Sequence, residues 1–191
     1  MKKKLAIFVS GRGSNMKAII EACQTGILKD LAEIVLVFSN KPSAAGLDTA
    51  RSAGLPVLSL SSKGKKRSQF DQEVVNLLVD YELDYIILAG YMRILSPVLV
   101  NAYRGRIINI HPADTQQHQG LNGYEWAFEQ GLKTTQITVH YVDEGLDTGR
   151  IIEQYAVDLS TATTLEEVER LGLMVEHANY SRAIKRVIEE N

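Results

Sequence analysis

The chain has 191 residues, room for one domain with a sizeable core, and a single domain over 1–191 is expected. Its 45% hydrophobic and 23% charged residues are those of an ordinary globular protein. A formal net charge of −2 provides no electrostatic footprint for nucleic acid, and no stretch approaches the roughly 20 apolar residues that span a bilayer, so neither nucleic acid nor membrane is expected as a partner.

The opening "MKKKLAIFVSGRGSN" starts basic, but its apolar run of about five residues ends at Gly11-Arg12, too short for a signal-peptide core. The chain is therefore read as cytoplasmic. Its one cysteine, Cys23, lies in a helix-like stretch and reads as a small buried hydrophobe. Apolar runs at 4–10, 32–39, 56–60, 83–90 and 106–110 are rich in Ile, Val and Leu and do not alternate with polar residues, which predicts strands covered on both faces. Between them, 15–26, 44–54, 68–81 and 96–103 predict helices; the first and third carry apolar residues at i, i+3, i+4 and i+7, and the first two run into a glycine. Repeated strand–helix units imply right-handed crossovers and an α/β, Rossmann-like open sheet, mostly parallel, with helices on both faces. Further on, 134–142 and 149–159 predict an antiparallel hairpin added to that sheet. A long C-terminal helix over 164–190 follows, with Thr163 or Thr164 as its N-cap. The basic stretch at 63–67 reads most simply as a solvated loop.

Four loops could carry chemistry. "SGRGSN" (10–15) follows the first strand and opens the first helix, where glycines and unpaired N–H groups suit an anion; it is neither a Walker A loop nor a full dinucleotide fingerprint, and a capped tight turn remains the plain alternative. "LAGYMRILS" (88–96) is either a pocket wall or a connection whose Met92, Ile94 and Leu95 are core. In "INIHP" (108–112), Asn109 and His111 share a strand face, so an amide N–H donor and a titratable imidazole would emerge together; alone, they read more readily as an Asn cap beside a surface histidine at the polar end of a strand. "VDEGLDTGR" (142–150) is an acidic, glycine-rich loop, plainly readable as a solvated hairpin loop; if it faces His111, one carboxylate could orient the ring and raise its pKa. No close His/Cys/Asp ligand pattern accompanies it, so no metal is expected. His140 on its strand reads as structural, and His177 as part of a solvated helix face.

Taken in order, these loops, with "VFSNK" (37–41), "TVHYVDEGLDTG" (138–149) and "EHANY" (176–180), resemble the glycinamide ribonucleotide formyltransferases of purine biosynthesis over nearly the whole chain. The resemblance implies 10-formyltetrahydrofolate as co-substrate, 5-phosphoribosylglycinamide as acceptor and no metal, with small molecules as partners; it also admits a homodimer. By residue, it implies Asn109, His111 and Asp147 as the catalytic trio. Gly13, Ser14 and Asn15 would cradle the acceptor phosphate, and Glu176 would hold its glycinamide end. Arg67, Met92, Arg93, Ile94, Leu95 and Asn109 would contact the folate. In that chemistry Asn109 and a protonated His111 stabilise the oxyanion, while Asp147 favours the imidazolium and assists proton transfer.

The chain also departs from the family. After His111-Pro112 the usual Ser-Leu-Leu-Pro is replaced by Ala113-Asp114-Thr115-Gln116, which predicts a polar, more mobile loop beside the acceptor, and Arg150 stands in place of a proline. A formyltetrahydrofolate hydrolase and a formyltransferase for another amine are the enzyme alternatives. The first strand begins at residue 4, so the extra N-terminal domain of the hydrolases is not expected. A non-catalytic phosphate- or nucleotide-binding module is the alternative of another class.

Overall fold

Leu5, Ile7 and Val9 pack into one apolar cluster and Ala6 and Phe8 into another, so the first strand is buried on both faces. That is the physical reason its sequence shows no polar alternation. The computed structural model describes residues 1–191. The strands are β1 (Lys3–Val9), β2 (Ala32–Ser39), β3 (Val57–Ser59), β4 (Tyr85–Leu88), β5 (Ile107–His111), β6 (Thr134–Tyr141) and β7 (Ile151–Asp158). They form one sheet in the order β3-β2-β1-β4-β5-β6-β7. The first five are parallel; β6 runs antiparallel to β5, and β7 to β6, as the hairpin reading predicted.

Helices α1 (Ser14–Gln24), α2 (Ala45–Ser52), α3 (Arg67–Leu78), α4 (Pro97–Ala102), α5 (Gly123–Glu129) and α6 (Leu165–Glu190) cover the sheet. Residues of α1, α2, α5 and α6 join the cluster of Leu5, Ile7 and Val9, whereas Phe70, Val74 and Leu78 of α3 and Leu99 of α4 join that of Phe8. Thr164 caps α6 in a reciprocal box with Glu167, which satisfies orphan N–H groups at its start. The third helix stops three residues early, passing into a 3₁₀ turn (Val79–Tyr81) that Glu82 closes in the left-handed conformation at φ 50°. The short helix α5 was not expected from the sequence. Its seven residues begin with glycine behind a left-handed Asn122, too brief a run to display a helical period.

Tyr180 of α6 is fully buried, and its hydroxyl lies 2.9 Å from the Leu88 carbonyl and 3.1 Å from that of Ile108. It thereby ties the long helix to adjacent strands next to the functional edge. Tyr180→Phe is expected to lower stability by about 1–3 kcal/mol, because two buried carbonyls lose their shared donor. The shift of the urea midpoint at unchanged slope measures it.

Candidate active site

The carboxyl ends of β1, β4 and β5 lie side by side, and backbone and side-chain bonds lock the loops that leave them. Ser10 N donates to Gly90 O at 3.0 Å. The Ser10 hydroxyl donates to Asn40 Oδ1 (2.6 Å) and accepts from Met92 N (2.8 Å), so one side chain couples the first loop, the "SNK" turn and the 88–96 segment. Sequence reasoning assigned Ser10 no role, since a serine before glycine reads as part of a turn. Gly13 is the N-cap of α1 at φ 74°, a left-handed backbone that favours glycine. The first turn of α1 holds no acidic side chain and no side-chain cap, which leaves its N–H groups free for an anion.

Beyond β4, the chain runs through Met92, Arg93, Ile94 and Leu95 along a cavity of about 700 Å³. Met92 and Ile94 are 64% and 51% exposed, an apolar wall without a partner, while Leu95 is buried. Arg93 lays its guanidinium 4.5 Å over the Phe70 ring. Behind the wall, fully buried Asp71 accepts from Ser96 N, and Asp71 Oδ1, Tyr91 OH, Arg93 Nε and Ser96 Oγ are buried without protein partners. Arg67, the first residue of α3, and Lys65 line the same cavity and supply positive charge, so the basic stretch is not merely solvated.

Asn109, His111 and Asp147 line this cavity too. Ile108 and Ile110 of β5 turn to the larger core, which sends Asn109 and His111 to the opposite face. Asp147 arrives from the β6–β7 loop in the left-handed conformation (φ 53°), and its Oδ2 accepts from Gly120 N at 2.8 Å. Gly149 is required in that loop because a Cβ there would fall 1.7 Å from Tyr141 O. The carboxylate sits between two rings: Oδ2 is 3.5 Å from His111 Nδ1, and Oδ1 is 3.5 Å from His140 Nε2.

Hydrogen bonds identify which ring nitrogens carry protons. His111 Nε2 lies 2.9 Å from the His118 carbonyl, which can only accept, so Nε2 is the protonated nitrogen of the neutral ring and Nδ1 faces Asp147 as a base. His140 Nδ1 donates to Tyr141 O (2.9 Å), leaving Nε2 to accept from Asn109 Nδ2 at 3.3 Å. Thus His140, read from sequence as structural, positions Asn109. The β5–β6 register, which pairs Asn109 with His140, was the missing information.

A resting imidazolium is not what the site favours. Burial pushes the His111 pKa down, and the Asp147 carboxylate and the His118 carbonyl pull it up without compensating. Burial pushes Asp147 up, yet the neighbouring His140 ring, the N–H donated by Gly120 and the His111 ring bring it below its ordinary value. The site at rest is therefore a carboxylate beside a neutral imidazole.

The polar loop after Pro112 is braced by hydrogen bonds where an apolar loop would be braced by packing. Asp114 accepts from Gln116 N and Gln117 Nε2, each at 3.0 Å. The His118 ring stacks on Trp126 at 4.9 Å and 13° and donates to Leu121 O. This loop supplies the carbonyl that orients His111.

Gly13, Ser14, Asn15 and Glu176 do not line the cavity. Asn15 and Glu176 are buried and bonded to each other, and Tyr124 donates to the other Glu176 oxygen. His177, expected on a solvated face, is half-buried with Nε2 unpartnered. No three His, Cys, Asp or Glu side chains are grouped to hold a metal, and no helix is long and apolar enough to cross a membrane.

An open α/β sheet with an Asn–His–Asp cluster at the carboxyl ends of its strands, beside an apolar cavity, describes an enzyme of group transfer. Residues 3–184 match the family described as formyl transferase, and the chain belongs to that family. It is 37% identical over 190 residues to the phosphoribosylglycinamide formyltransferase of Bacillus subtilis, covering 99% of this chain and 96% of that protein. It is 39% identical over 188 residues to the trifunctional purine biosynthetic protein adenosine-3 of Drosophila melanogaster; this covers 98% of the chain but spans only 14% of that protein's length. A solved phosphoribosylglycinamide formyltransferase from Bacillus halodurans superposes with a TM-score of 0.91 at 39% identity, covering 96% of this chain and 94% of that one.

Proposed function

We propose that residues 1–191 form one formyltransferase domain that moves the formyl group of 10-formyltetrahydrofolate to the amine of 5-phosphoribosylglycinamide in purine biosynthesis. The observation that carries this reading is the convergence of Asn109, His111 and Asp147 on the cavity walled by Met92, Arg93, Ile94 and Leu95. The half-exposed Met92 and Ile94 suit the flat, largely apolar folate ring, and Arg67 suits its carboxylate end. Gly13, Ser14 and Asn15 at the open end of α1 suit the acceptor phosphate, and Glu176 its glycinamide end.

In this reading the acceptor nitrogen attacks the formyl carbon, and negative charge grows on the formyl oxygen. The Asn109 N–H not used by His140 stabilises that oxyanion. His111 Nδ1 takes the amine proton; as it becomes an imidazolium, Asp147 at 3.5 Å stabilises the new charge. The proton then passes to the folate nitrogen as its bond to the formyl carbon breaks. Atoms balance without a covalent enzyme intermediate.

The test is tetrahydrofolate release followed spectrophotometrically. Release that requires phosphoribosylglycinamide supports the transferase. Release without any amine identifies a hydrolase, release only with other amines a different acceptor, and binding without turnover a non-catalytic module.

The buried Asp71 anchors the folate wall through Ser96 N. Asp71→Ala should leave that N–H unpaired and raise the KM for formyl-folate about tenfold, with the KM for the acceptor little changed. Steady-state kinetics with each substrate varied in turn separates the two.

A further inference from the structure

Tyr124 is the second residue of α5, and its ring lies on α6 at Gly172, one turn before Glu176. A Cβ at Gly172 would fall 2.1 Å from the tyrosine Cε1, so that glycine is what admits the ring. The hydroxyl donates to Glu176 Oε1, while Asn15 Nδ2 from α1 donates to Oε2. Three helices thus clamp one carboxylate that is 5% exposed. Asn15 is itself 7% exposed, and its amide oxygen is buried without a protein partner, an acceptor left available beside the clamped carboxylate.

We propose that Tyr124 is a positioning residue for the acceptor: its hydroxyl holds the Glu176 carboxylate oriented so that, beside Asn15, it hydrogen-bonds a donor group of the phosphorylated acceptor seated at the open end of α1. This deepens the formyltransferase reading and rests on it. The direction of proton occupancy agrees. Burial, then the charge of Glu176, pushes the Tyr124 pKa far up, so the hydroxyl remains a donor throughout the working range. Burial pushes Glu176 above its ordinary value, and the bonds from Tyr124 and Asn15 and the charge of His177 work against that rise. The groups that bear on this carboxylate are Tyr124 of α5, Asn15 of α1, and His177 and Tyr180 of α6, with Glu169 acting on Tyr124. Among them Tyr124 is a donor whose loss need not disturb the fold, because phenylalanine keeps the ring on Gly172.

Tyr124→Phe removes one of two donors that hold the charge, so Glu176 takes up a proton at higher pH. At neutral pH the variant should show a KM for phosphoribosylglycinamide raised about tenfold, with kcat and the KM for formyl-folate changed less than twofold. The acid limb of kcat/KM for the acceptor should move to higher pH. The amine of the substrate and His111, which Tyr124 does not touch, titrate alike in both enzymes, so a displacement between them reports Glu176. Glu176→Gln should remove that component of the limb altogether. All rates are read below both melting transitions, which keeps a loss of stability from imitating the effect. An unchanged acceptor KM and limb in Tyr124→Phe, or a limb in the Glu176→Gln background that Tyr124→Phe still displaces, overturns the inference. Absence of any product from the wild-type protein with phosphoribosylglycinamide would instead remove the functional reading beneath it.

Discussion

Asp147→Asn is expected to lower kcat by about 10²-fold or more while the protein stays folded, and His111→Ala by a similar or larger factor. Asparagine preserves the shape of the aspartate and can still accept from Gly120 N, so the loop should hold. What disappears is the charge that stabilises His111 once it carries the amine proton. The same substitution has a second signature in pH. His111 acts as a base and must be neutral at the start, so activity falls as pH drops through its pKa. Burial already places that pKa below the ordinary 6.5, and Asp147 is the main influence raising it. Without the carboxylate, the His111 pKa falls further, and the acid limb of kcat should move to lower pH even as the rate collapses. A limb displaced upward, or near-wild-type rates in either variant, would remove the assignment. Circular dichroism and the melting transition verify the fold.

Asn109→Ala should cost about 10²–10³ in kcat, the range for deleting a donor aimed at a developing oxyanion. The donor is prepared in advance: His140 Nδ1 is spent on the Tyr141 carbonyl, so Nε2 can only accept, and Asn109 turns its amide nitrogen toward it. His140→Phe should therefore lower kcat as well, by roughly tenfold, through a less oriented Asn109. Because Asn109 does not titrate, its removal should leave the acid limb in place. The two sets of variants are thus distinguishable: those at His111 and Asp147 alter the pH profile, whereas Asn109→Ala lowers its height.

Much of this architecture is legible in the order of residues. Doubly buried strands such as β1 announce themselves by unbroken Ile, Val, Leu and Phe, and the hairpin of β6 and β7 by its short connection. The helix α5 escaped because seven residues starting at a glycine carry too little periodicity. His140 escaped for a different reason. A histidine on a strand has the same appearance whether it faces core or site, and only pairing with β5 at a particular register brings it to Asn109. Ser10 was similarly unmarked, since its bonds join segments 30 and 82 residues away.

The charge state of the site was the reading most changed by the fold. A carboxylate in the neighbourhood of a histidine suggests an imidazolium, and the sequence contains nothing to weigh against it. Burial is the opposing effect. It requires knowing that His111 is 3% exposed and that its Nε2–H is already committed to a carbonyl of the divergent loop.

Residue order alone therefore specified the class of sheet and the loops that would meet at its carboxyl edge, because strand burial, helix caps and glycine turns are local properties; the candidate trio came from the resemblance those loops carry together. The three-dimensional packing decided the rest: which nitrogen of His111 is the base, that His140 serves Asn109, and that Asn15, Tyr124 and Glu176 form a clamp outside the main cavity. These depend on distances of a few ångströms between segments far apart in the chain, and on how much water each group has lost, neither of which is written in any local pattern.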